Sequence, residues 1–165
     1  MKNIELTKGK FAIVDDKDFD FLNQWKWHCS SHGYACRVEK ETGKSHADRY
    51  SKNISMHRLL TDTPKGMDTD HINGNKLDNR RNNLRVCTRS QNLSNRPSTI
   101  LNKSGFKGVS PHKGKYEAGL RKDGKRVYLG IYNTPKEAAL AYNDKAKELF
   151  GNFAYLNVIE GGNHA

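Results

Sequence analysis

The chain reads as an α+β protein of small antiparallel sheets and a few helices, on three observations. Apolar residues come early in runs of four or five, Phe11 to Val14, Trp25 to Cys29 and Tyr34 to Val38, separated by polar turns as strands are. Near the other end, Thr134, Pro135 and Glu137 spell a helix start, with cap, first-turn proline and reciprocal carboxylate. The hydrophobic share is 35% and the mean hydropathy −0.91, which suits several small cores better than one large one.

Taken in order, residues 1–60 form a β-rich extension. Within it Asp16 caps a short helix running to Asn23, with Phe19 and Leu22 on its inner face. Trp25 and Trp27 lie two apart and so share one face of their strand, packed in a core. Glu39 to Lys52 is polar and reads as a loop, and Ile54 to Leu60 as a passage from strand to helix. From Gly66 to Arg96 the chain turns rich in Asn and Arg, and Asn-rich loops bond their own backbone and hold unusual turns. A linker is expected around 97–104, where Pro97, Ser98 and Thr99 fall.

Beyond it, residues 105–159 show three strands and one helix: Phe106 to Ser110, Tyr116 to Arg121 and Arg126 to Tyr132, with Asp123-Gly124 as a hairpin turn. Ala138, Ala141, Tyr142, Ala146 and Leu149 recur at helical spacing, and Gly151 is a C-terminal stop. The alanines let this helix pack close to a thin sheet.

Charge narrows the partner. With 29 Lys and Arg against 18 Asp and Glu the net charge is +11, so the expected partner is a polyanion, double-stranded DNA first. No stretch approaches the roughly 20 apolar residues of a membrane span, and the N-terminus lacks an apolar signal core, so a cytoplasmic location and no membrane partner are expected. Cys29, Cys36 and Cys87 are odd in number and lack zinc-knuckle pairing, and read as reduced thiols. The competing reading joins His28, Cys29, His32 and Cys36 in a metal site.

Asp70-His71 sets a carboxylate beside an imidazole, a pair able to hold a divalent ion and activate water. The run from Asp70 through Asn73-Gly74, Asp78-Asn79-Arg80 and Asn83-Leu84-Arg85 to Asn92 resembles phage HNH homing endonucleases, and the upstream Met56-His57-Arg58-Leu59-Leu60 does as well. That resemblance implies a ββα-metal fold over residues 61–96, with two strands joined by a long loop and then a helix. It implies His71 as general base, Asn83 as the residue that fixes the base through the loop, and Asp70 and Asn92 as metal ligands. Asn92 stands where some of these nucleases carry His and several phage members share an Asn, and a carboxylate with an amide oxygen is a hard donor set that favours Mg²⁺ or Mn²⁺ over zinc. Arg80, Arg81 and Arg85 are candidate phosphate contacts, with the Asp78-Asn79-Arg80 group alternatively bracing the loop.

Between Asn102 and Gly130 there are eight Lys and Arg against two acidic residues. The segments Lys107-Gly108-Val109, Tyr116 to Arg121, Arg126 to Tyr132 and Thr134 to Ala139 resemble the APETALA/ethylene-response-factor DNA-binding domain. This implies a three-stranded sheet in the major groove, with Lys107, Arg121, Arg126 and Tyr128 at contact positions and Lys113 and Lys115 meeting phosphate. Tyrosines replace plant tryptophans, Tyr116 and Tyr128 among them, and Ser110 stands where the plant domains carry arginine, so sequence specificity is expected to be loose. The whole reads as a DNA endonuclease that nicks one strand, monomeric and without a small-molecule substrate. The competing readings are a DNA-binding regulator that keeps the HNH scaffold without catalysis, and an RNA-binding protein.

Overall fold

A computed structural model of the chain describes residues 1–40, 51–97 and 102–159. The fold is mixed α+β, and the chain divides into two compact units, Met1–Cys87 and Thr88–Ala165. Of the segment expected as a linker, residues 98–101 lie outside the described residues.

The first unit holds three small antiparallel sheets. Strand β1 (Lys2–Glu5) pairs with β2 (Phe11–Val14); β3 (His28–Cys29), β4 (Ala35–Lys40) and β5 (Ser51–Ser55) form the second sheet; β6 (Asp68–His71) pairs with β7 (Leu84–Cys87) in the third. Helices α1 (Asp16–Leu22) and α2 (Met56–Thr61) follow β2 and β5 directly. Every sheet buries one apolar edge in a common core of Ile4, Leu6, Ala12, Val14, Leu22, Trp27, Ala35, Met56, Leu60 and Leu84. With so few large side chains, polar ties carry part of the packing. Asp18 on α1, 7% exposed, takes both ends of the Arg81 guanidinium at 2.8 and 2.9 Å, joining residues 63 apart.

Several expectations shift here. The cap of α1 is Asp15, one residue earlier than expected, and its carboxylate accepts the Arg81 backbone N–H at 2.8 Å. Trp25 to Trp27 are not strand: β3 starts at His28, and the two indoles meet edge to face at 6.4 Å, with Trp27 donating to Leu22 O at 2.8 Å. That bond, and the Arg37 guanidinium stacked 4.4 Å from Trp25, override the alternation that predicted a strand. The stretch Glu39 to Lys52 is not wholly loop, since Glu39 pairs with Lys52 and Lys40 with Ser51 in the β4–β5 ladder; residues 41–50 lie outside the described residues.

In the second unit, α3 (Arg89–Ser94) is followed by β8 (Val109–His112), β9 (Lys115–Lys122), β10 (Lys125–Tyr132) and α4 (Pro135–Phe150). The sheet order is β10-β9-β8, with a bulge between Tyr128 and Gly130. Helix α4 begins as its sequence says, with the Thr134 hydroxyl accepting from Glu137 N at 3.2 Å and the Glu137 carboxylate returning to Thr134 N at 3.1 Å. Its small face, Ala138, Ala139 and Ala146 with Tyr142 and Phe150, packs on Val109, Ala118 and Leu120. Strand β8 starts three residues later than expected, because Gly105 and Gly108 both take positive φ and turn the chain through Phe106.

Candidate active site

The β6–β7 pair is joined by the long loop 72–83, which carries Arg80 and Asn83 of the expected residues and follows directly on Asp70 and His71 at the end of β6. Asp78, 2% exposed, anchors it: Oδ1 accepts from Arg80 Nε at 2.7 Å, and Oδ2 accepts from Arg80 Nη2 at 2.6 Å and Asn73 Nδ2 at 2.8 Å. Arg80 beside it holds the Asp78 carboxyl below the usual carboxylate range. Asn83 closes the loop from the other end, accepting from Asn73 N at 3.0 Å and donating to Asp78 O at 2.8 Å. Truncating Asp78 to Ala strands the Asn73 and Arg80 donors. We expect the first unit to lose roughly 3 kcal/mol, read as a drop in denaturant midpoint without change in slope.

His71, the last residue of β6, is 5% exposed. Its Nε2 faces Asn79 Oδ1 at 3.5 Å, and with the proton on Nε2 the basic lone pair is on Nδ1. Asn79 is fully buried and held in place by its own N–H, which donates to Ile13 O at 2.7 Å. Three rings form the wall of the site: His57 lies 5.1 Å from His71 edge to face, and Tyr34 lies 4.9 Å from His57 and 5.9 Å from His71. Burial lowers the pKa of His71, opposed by Asn79 and by the charges of Asp70 and Asp78. Burial lowers His57 further, to about 3, with repulsion from His71 second, and its Nδ1 is buried without a hydrogen-bond partner.

His57 therefore contributes a pH dependence of known sign. Between pH 3 and 6.5 the unfolded chain binds a proton that the folded chain refuses, so stability falls as pH drops through that window. We expect His57→Phe to flatten this acid limb by a few kcal/mol at pH 4, measured by urea unfolding at pH 4 and pH 7.

Asp70, 5% exposed, stands directly across the ladder from Arg85, which brings Nε and Nη2 to Asp70 Oδ2 at 2.9 and 2.7 Å. Arg80 and Arg85, expected on phosphate, are thus both engaged by carboxylates. Asn92 is on α3, in the second unit, half-buried, its N–H donating to Thr88 O at 3.0 Å. Among the described residues no three His, Cys, Asp or Glu gather as metal ligands, the His28, Cys29, His32 and Cys36 set included. The three cysteines are free thiols, and burial pushes Cys87 up to about 11.

The second unit presents its other expected residues differently. Arg121, Arg126 and Tyr128 are exposed on the sheet face away from α4, with Arg126 opposite Arg121 and paired to Glu117, while Lys113 and Lys115 are exposed at the β8–β9 turn. Lys107 is turned inward instead: its amine donates to Ser94 O at the end of α3 and lies 5.7 Å from the Tyr155 ring. Burial lowers its pKa to about 8. Residues the sequence left unmarked are Asn79 as the partner of His71, and Tyr34 with His57 as its wall. Of these, His57 and Asn79 carried a signal, as parts of the motif at 56–60 and of the Asp78-Asn79-Arg80 group, and Tyr34 carried none.

A buried imidazole at a strand end, a neighbouring carboxylate and an Asn-pinned loop fit the class that similarity to known proteins shows: the chain belongs to the HNH endonuclease family. The HNH endonuclease profile matches residues 62–94. An uncharacterized HNH endonuclease of Acanthamoeba polyphaga mimivirus is 34% identical over 153 residues, covering 93% of this chain and 78% of that protein. A protein named as an SPbeta prophage-derived HNH homing endonuclease of Bacillus subtilis is 36% identical over 72 residues, 41% of this chain and 39% of its own. Dehydration-responsive element-binding protein 2D of Arabidopsis thaliana is 43% identical over 58 residues, 33% of this chain and 28% of its own. No helix among the described residues is long and apolar enough to cross a membrane.

Proposed function

We propose that the chain is a metal-dependent DNA endonuclease of the homing type that cuts one strand, with residues 61–96 as its ββα-metal core. The observation that carries this reading is His71 at the end of β6, its Nε2 set against the buried Asn79 beside Asp70, inside the family's matched region. His71 Nδ1 takes the proton of the attacking water, Asn83 and Asp78 keep the loop from drifting away from it, and Asn79 holds the ring's tautomer.

HNH nucleases generally use a divalent ion, and the donors here suit a hard one: Asp70 supplies a carboxylate and Asn92 an amide oxygen, the set that Mg²⁺ or Mn²⁺ accepts with waters and phosphate completing its shell. When bound, the ion neutralises charge on the phosphate and stabilises the leaving alkoxide. The active unit is proposed as 61–96, preceded by the extension 1–60, joined through 97–104 to a DNA-binding module at 105–159.

That module is read as APETALA/ethylene-response-factor-like. Support comes from the similarity to the plant protein over 58 residues and from the three-stranded sheet with Arg121, Arg126 and Tyr128 exposed on one face. These three read the groove and Lys113 and Lys115 meet phosphate, whereas Lys107 braces α3. The test is a set of end-labelled duplex fragments of phage genomic DNA, incubated with Mg²⁺ and resolved by strand on denaturing gels. A discrete cut on one strand supports the proposal. Retardation of the same fragments with no metal-dependent cut overturns it in favour of a regulator, and preference for structured RNA overturns the DNA assignment.

A further inference from the structure

We infer that Arg85 and the divalent ion compete for the Asp70 carboxylate, so that Arg85 couples metal loading to the docking of a DNA phosphate. This rests on the reading of Asp70 as a metal ligand. Three features of the β6–β7 ladder carry it.

The pair is built in by register: Asp70 and Arg85 are direct cross-strand partners, so their side chains rise from neighbouring positions. Two donors of one guanidinium, Nε and Nη2, converge on a single oxygen, Asp70 Oδ2. Both side chains are largely withdrawn from water, 16% exposed for Arg85 and 6% for Asp70, so their interaction is poorly screened.

A doubly charged ion on Asp70 would therefore sit within a few ångströms of a fixed positive charge, in surroundings that do little to weaken the repulsion. Either the ion binds weakly or the guanidinium leaves. A guanidinium that leaves a carboxylate needs another planar or tetrahedral oxyanion, and phosphate matches its fork as well as carboxylate does. The DNA backbone supplies that anion where the nuclease reading puts the scissile bond. Arg85 moving from Asp70 to phosphate removes the repulsion and adds a phosphate contact in one event. By linkage, metal and DNA then each tighten the binding of the other by the same factor. Arg85 is thus a positioning residue, and its expected phosphate contact belongs to the DNA-bound state.

Mn²⁺ binding to the full chain, followed by calorimetry and by the electron paramagnetic resonance of the free ion, tests this without any cleavage. Arg85→Gln without DNA should bind Mn²⁺ about tenfold more tightly than the unaltered chain, the size of a typical coupling between sites. Arg85→Lys keeps the charge but loses the second donor on Oδ2, and should gain about threefold, so it decides the matter where Arg85→Gln fails to fold. If Mn²⁺ raises the unfolding temperature of Arg85→Gln more than that of the unaltered chain, the ion is replacing the guanidinium, as inferred. Equal or weaker Mn²⁺ binding in the folded variants, with Asp70→Asn still abolishing it, overturns the competition and leaves Asp70 as ligand. Mn²⁺ binding that survives Asp70→Asn overturns the ligand reading itself.

Discussion

Replacing His71 with Ala should lower the rate of DNA cleavage by about 10²- to 10⁴-fold while leaving DNA retardation unchanged, because a positioned general base is worth that much and binding does not use it. Its surroundings make the ring a base at neutral pH. Burial holds its pKa below the ordinary histidine value, so the imidazole is unprotonated through the neutral range. Asn79, itself fully buried, faces Nε2, which leaves Nδ1 as the nitrogen that takes the proton in the proposed mechanism. His71→Gln keeps bulk beside Tyr34 and His57 but no basic nitrogen of comparable pKa, and should lose nearly as much. Single-turnover rates on a labelled duplex, with unfolding curves of each variant alongside, separate lost chemistry from lost fold. A variant that unfolds like the unaltered chain and still cuts at its rate would remove His71 from the mechanism.

Gly108→Ala should all but unfold the second unit. At φ +73° a Cβ is strained in any case, and here it would lie 2.0 Å from Cδ2 of the Tyr142 ring and 2.7 Å from Gly119 O. Tyr142 is 2% exposed and packed between α4 and the sheet, so its ring has nowhere to go. Left-handed strain and overpacking together cost about 3 to 5 kcal/mol, a large part of what a domain of this size has. Gly114→Ala is the control. It has a similar φ of +77° but nothing within 4 Å, so only the backbone strain of about 1 to 2 kcal/mol remains. Hydrogen exchange of the β9 and β10 amides should speed up by orders of magnitude in Gly108→Ala and modestly in Gly114→Ala. Equal effects would mean that Tyr142 yields.

Where a feature is local, the sequence announced it. Thr134, Pro135 and Glu137 marked the start of α4 to the residue, and Asp123-Gly124 marked the β9–β10 turn, because caps and turns satisfy backbone groups a few positions away. The loop bonds of Asn83 to Asn73 and Asp78 span 10 and 5 residues, short enough for the motif's spacing to imply them. What stayed hidden is set by distant partners. The bond from Trp27 to Leu22 O and the Arg37 stack on Trp25 broke an apparent strand, and nothing in the alternation of apolar residues shows such a competitor. Arginine types suggested phosphate, yet Arg80, Arg81 and Arg85 each found a carboxylate, one of them 63 residues away. Lys107 looked like a basic contact and folded inward because α3 places a carbonyl terminus within its reach.

Metal-dependent cleavage by this chain is tested most directly with a supercoiled plasmid incubated with the full chain in Mg²⁺, against EDTA and against His71→Ala. The prediction is conversion to open circles in Mg²⁺ alone, with linear product appearing only later. Plasmid that stays supercoiled at protein concentrations that fully retard it would contradict the account.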